Sequence, residues 1–133
     1  MLSTLFGIFA IAMSAYSEPI TPFYNNTYQA RTTVSIDSNG KATVNVYYYG
    51  RVGVTKSATI TTKLQKNVSG VWQDVSIGTA NNSWIDTSSS FTATFNHTAN
   101  LTSRGTYRAI STYQISGTGG ATDVIESISE AIY

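Results

Sequence analysis

The stretch QARTTVSIDSNGKATVNVYYY, residues 29–49, decides the fold. In its first half Ala30, Thr32, Val34 and Ile36 fall on one side of an extended chain, and Arg31, Thr33, Ser35 and Asp37 on the other. The residues DSNG at 37–40 then supply the turn chemistry of a tight hairpin. Past the turn the alternation resumes, with Ala42, Val44, Val46 and Tyr48 on the apolar side. Two period-two runs joined by a short turn read as a β-hairpin with one buried face.

The same pattern extends outward from this hairpin. A third strand at 56–66 points Ala58, Ile60, Thr62 and Leu64 inward and Lys63 outward. After a turn at 67–70 a fourth runs over 71–77, where Trp72 and Val75 have opposite parity, which predicts a β-bulge or a strand shared between faces. Residues 78–90, GTANNSWIDTSSS, read as a loop with an embedded aromatic, and Phe91, Ala93 and Phe95 mark a fifth strand. A sixth at 104–116 turns Tyr107, Ala109, Ser111, Tyr113 and Ile115 inward, and the glycine-rich turn at 117–120 leads to a last strand over 122–133. About seven short strands with almost no helical periodicity predict an all-β fold of two packed antiparallel sheets.

Composition agrees. The 133 residues include 37 Ser and Thr but only 11% charged residues, so the polar surface is built of hydroxyls. A net charge of +1 offers no footprint for nucleic acid. The absence of Cys excludes disulfides, thiolate metal sites and a Cys nucleophile together. Charge is unevenly spread: residues 31–66 hold six basic residues against Asp37, whereas residues 67–133 hold Arg104 and Arg108 against five acids. Interleaving of strands should cancel much of that asymmetry.

The segment LTSRGTY at 101–107 looks like the corner before strand F of an immunoglobulin-like domain, where a Tyr hydroxyl returns to backbone just upstream. Together with SNGKATV, the run from Lys56 to Trp72 and GTYRA at 105–109, it makes residues 30–133 resemble a family of small secreted immunoglobulin-like or fibronectin-like sandwiches of Gram-positive bacteria. The resemblance implies a fold and an export route, and no chemistry. Ala109 stands where an antibody-type domain has its second Cys, Val46 lies near its partner's place, and the third strand carries no Trp. Apolar packing alone must hold the core.

Ahead of the sandwich, residues 2–15 form an uncharged apolar run of signal-peptide length, too short to span a bilayer. No Lys or Arg precedes it, but Ala15 and Ser17 suit cleavage before Glu18. The expectation is a signal at 1–17, an extended leader at 18–28, a sandwich at 29–133, and a secreted protein without stable membrane insertion.

Chemistry-bearing constellations are few. His97 reads as a turn histidine, since no nucleophile-elbow glycine pattern surrounds any Ser. Asp37 and Asn39 lack the continuation of a calcium loop, and no spacing singles out a carboxylate pair. The Asn-x-Ser/Thr motifs at Asn25, Asn67, Asn81, Asn96 and Asn100 read as turn residues on a bacterial chain. No cofactor, metal site or catalytic residue is expected. Tyr47 and Tyr49 stand apart, because the pleat that buries Tyr48 leaves both on the outer face, about 7 Å apart. Exposed rings in a row stack on sugars or anchor a protein. The sequence therefore points to a non-enzymatic interaction module binding a protein or carbohydrate through Tyr47 and Tyr49. The alternative is a structural protein that self-associates through sheet edges.

Overall fold

A computed structural model describes residues 24–133. The expected signal at 1–17 and the first part of the leader, 18–23, lie outside the described residues. The deciding hairpin pairs β1 (Thr27–Ile36) with β2 (Lys41–Gly50) in the register Val34↔Val44. Its turn is held by the Asp37 carboxylate, which accepts the backbone N–H groups of Asn39 and Lys41, and by Gly40 at φ +82°. Any Cβ at Gly40 would also run into the Tyr133 ring, so glycine is required there twice over.

Six further strands follow: β3 (Thr55–Val68), β4 (Val71–Asp74), β5 (Trp84–Ser88), β6 (Thr92–Asn100), β7 (Thr106–Gly117) and β8 (Asp123–Ile132). One sheet has the order β1-β2-β6. The other has the order β4-β3-β7-β8, and β5 pairs with β3 along the same edge as β4. All pairings are antiparallel. This is an immunoglobulin-like sandwich, with β1, β2 and β6 in the places of strands A, B and E and β3, β7 and β8 in those of C, F and G.

The inward residues of β2, β3 and β7 are those the alternation selects: Val44, Val46, Tyr48, Ile60, Leu64, Ala109, Tyr113 and Ile115 are fully enclosed. The corner also forms as expected, Tyr107 donating its hydroxyl to the Ser103 carbonyl at 2.6 Å.

Four expectations are corrected. Among the described residues the strands number eight, because WIDTS, expected to be loop, pairs with β3 as β5. The fourth strand stops at Asp74 and carries no bulge; Trp72 faces outward and Val75 turns inward only after the ladder has ended, its N–H still bonded to the Leu64 carbonyl. β1 starts at Thr27, inside the stretch taken as leader. His97 lies in β6, paired with Val44, on the inward side and not in a turn.

Side chains tie the two sheets along both open sides. On one, Ser127 and Ser129 of β8 accept the N–H groups of Thr32 and Val34 in β1. On the other, the His97 ring stacks on Trp84 of β5 and its Nε2 meets the Asp86 carboxylate at 2.7 Å. Between them the Tyr113 hydroxyl crosses from β7 to donate to the Arg31 carbonyl at 2.7 Å, and it bonds Thr32 Oγ1 at 2.8 Å.

Candidate functional site

At one end of the sandwich four pieces of chain converge: residues 24–26, the β2–β3 connection, the segment before β6 and the β7–β8 turn. Asp123, at the start of β8, is buried with a carboxylate that accepts the N–H groups of Asn25 and Asn26 and the Thr27 hydroxyl, at 2.7–2.9 Å. Asn26 is fully buried in turn: its side chain accepts the Gly119 N–H and donates to the Ala121 carbonyl, and its backbone oxygen accepts the Thr55 hydroxyl. A Cβ at Gly117 would stand 2.2 Å from the Val54 carbonyl oxygen, so the β7–β8 turn and the β2–β3 connection meet backbone to backbone. The connections at this end are locked by buried hydrogen bonds.

On that base stands an aromatic cluster. The β1 register shifts between Thr27 and Gln29, and Tyr28, at the shift, is 65% exposed. Its ring lies 5.8 Å from that of Tyr49 at an interplanar angle of 25°, and Phe91 meets Tyr49 edge-on at 5.9 Å. Phe91 is placed by its carbonyl, which accepts the Gly50 N–H at 2.7 Å. The Arg51 guanidinium sits 5.2 Å from the Tyr28 centroid and reaches the Tyr24 carbonyl. Two tyrosines, a phenylalanine and an arginine thus form one amphipathic surface at the loop-bearing end.

The structure places both sequence-named residues on the outer face, with Tyr49 at 37% exposure, Tyr47 half-buried and Tyr48 at 0%. Their surroundings differ. Tyr49 belongs to the cluster, whereas Tyr47 lies between Arg31 and Thr94 in the register. Tyr28 falls in the expected leader and Phe91 in the expected fifth strand, so the alternation singles out neither. The available signal was Tyr28 itself, one residue ahead of Gln29, whose register partner is Tyr49.

His97 and Asp86 have the spacing of a base and its orienting acid, but no serine among the described residues is hydrogen-bonded to the imidazole. One face of the ring is also covered by Trp84, 4.8 Å away and 7° from parallel. The pair serves as a strut between sheets.

Two comparisons found nothing: no family model and no curated protein matches the chain. Among solved structures, a CARDB domain from Pyrococcus furiosus, determined in complex with di-metal ions, is similar over 87% of this chain and 95% of its own. Sequence identity is 10% and the TM-score 0.44.

Proposed function

We propose that this is a secreted, non-catalytic binding module of bacterial type that takes a protein or carbohydrate partner on the surface formed by Tyr28, Tyr49, Phe91 and Arg51. The observation that carries the reading is the placement of exposed, mutually packed rings on an end whose loops are fixed by Asp123 and Asn26. A rigid platform loses little conformational freedom on binding, and aromatic rings with an arginine are the side chains that anchor interfaces. The outer rim of Tyr47 extends the same face along β2.

The test is retention on a panel of polysaccharides and extracellular proteins, comparing the natural chain with a Tyr28→Ala/Tyr49→Ala variant. Loss of anchor rings should weaken capture by roughly thirtyfold or more, the equivalent of about 2 kcal/mol. A variant that is captured as well as the natural chain overturns the proposal.

Self-association has one observation in its favour, the exposed Val124, Ile128 and Ile132 on the outer face of β8. Glu126 and Glu130 alternate with them, and β1 already gives two N–H groups to Ser127 and Ser129, which blunts both edges. Sedimentation that shifts with concentration in the micromolar range would favour this second reading.

A further inference from the structure

At the end opposite the aromatic cluster, β3 carries a lysine where its pattern calls for a core residue. Ala58, Ile60, Thr62 and Leu64 alternate into the sandwich, and Lys66 is next in the series. Inward-pointing lysines commonly guard edge strands against pairing. That role does not apply here, because Lys66 pairs with Tyr107 of β7 on one side and Gln73 of β4 on the other.

Its side chain is positioned. The stem passes over Gly105, where a Cβ would come within 2.7 Å of Lys66 Cε. The ammonium lies 5.8 Å from the Tyr107 ring centroid and donates to Ser103 Oγ at 2.7 Å. Among the described residues no carboxylate lies within 4.0 Å of it, and the nearby Asp74 is held by Lys63 and Gln65 instead. Beside this cation is an open cleft of about 290 Å³, lined by Lys66, Asp74, Val75, Ser76, Asn100, Thr102 and Tyr107 among others, the Asp74 carboxylate being neutralised by Lys63.

From this placement we infer a second binding site, for a small hydroxylated carboxylate of the uronic acid type. With one ammonium hydrogen on Ser103, Lys66 offers its two remaining donors and a compact charge to the carboxylate. The hydroxyls of Ser76 and Thr102 and the amide of Asn100 are matched to ligand hydroxyls, while Val75 and the Tyr107 ring offer apolar surface to a C–H face. The volume sits near the lower bound, about 300 Å³, of ordinary ligand pockets, which suits one sugar ring. The site is independent of the aromatic surface.

The experiment is titration of the isotopically labelled chain with glucuronate, followed by amide shifts, with glucose and acetate as controls. Saturable shifts at residues 75–76 and 100–107, at least tenfold weaker with either control, support the site. Lys66→Gln should lower glucuronate affinity at least tenfold, and Tyr49→Ala should leave it unchanged. Should the Lys66 variant fail to fold, Thr102→Val, at an exposed position, gives the second reading, with a threefold or greater loss expected. Equal shifts from acetate or glucose, no saturable shift with glucuronate, or unchanged affinity in the Lys66 or Thr102 variant would overturn the inference.

Discussion

His97 lies flat against Trp84, ring centroids 4.8 Å apart and planes 7° from parallel, and the two come from opposite sheets. The contact closes the side of the sandwich between β5 and β6, where no backbone ladder joins the sheets. Asp86 fixes the imidazole in that plane through Nε2. The chain has no cysteine and so no inter-sheet disulfide; this stack, the Tyr113 hydroxyl and the Ser127 and Ser129 hydroxyls are among the specific links between its sheets, alongside apolar packing.

A double-mutant cycle measures the link. Asp86→Ala leaves a half-buried ring N–H without its acceptor and should cost about 1 to 3 kcal/mol. Asp86→Ala combined with His97→Ala should cost less than the sum of the two, with a coupling of at least about 0.5 kcal/mol in urea unfolding. Strict additivity would show that the pair does not couple the sheets.

Tyr113 offers a test through pH. Burial raises its phenol pKa above the ordinary 10.0, against the opposing effect of hydrogen bonds from Thr32 and from the Tyr47 N–H. The folded state therefore keeps the proton after the unfolded chain has lost it. The associated stability is complete below about pH 10 and declines as pH rises toward the folded-state pKa. Tyr113→Phe should cost about 1 to 3 kcal/mol near neutral pH, by stranding the Arg31 carbonyl. The gap between variant and natural chain should narrow above about pH 10. A gap constant from neutral to alkaline pH would contradict this account.

Asp74 supplies the acid counterpart on the outer face. The Lys63 ammonium at 2.8 Å, then the Gln65 amide at 2.9 Å, hold its carboxyl below the ordinary carboxylate range, and burial opposes them. A depressed folded-state pKa stabilises above the unfolded value of about 4 and is lost as pH falls through the folded one. The pair is solvated, so the effect stays under about 1 kcal/mol. Asp74→Asn should flatten the decline of melting temperature below about pH 4, and high salt should shrink the difference. An unchanged acid limb would remove the pair from the stability of the fold.

Period-two alternation was legible wherever one face of a strand is buried and the run is long. β2, β3 and β7 meet that condition, and Val46, Ile60 and Tyr113 sit where parity put them. β5 failed it: five residues between turn-forming neighbours carry too little pattern, and the ring stacked on Trp84 is His97, from the other sheet. His97 was misread for the same reason, since its partners come from β5 and not from its neighbours in sequence. The outer placement of Tyr49 followed from the pleat. The cluster around it did not, because Tyr28 arrives through a register shift and Phe91 from a loop that Gly50 holds by one hydrogen bond. Likewise the leader could not be seen to join the fold, since its anchor is Asp123, at the far end of the chain.

The last prediction separates core from surface on β2. Tyr48 is fully enclosed and its hydroxyl donates to the Ser90 carbonyl, so Tyr48→Ala opens a cavity and removes a hydrogen bond. Aromatic truncation of this kind should cost about 3 to 5 kcal/mol. Tyr49→Ala loses only the Tyr28 stack and the edge contact with Phe91, together about 0.5 to 1.5 kcal/mol, because the ring is already partly in water. Urea unfolding of the two variants should therefore differ by at least about 2 kcal/mol, while partner capture should fall for Tyr49→Ala alone when both are measured under conditions where they remain folded. Equal destabilisation would mean that the Tyr49 ring is structural, and the aromatic surface would then lose its central member.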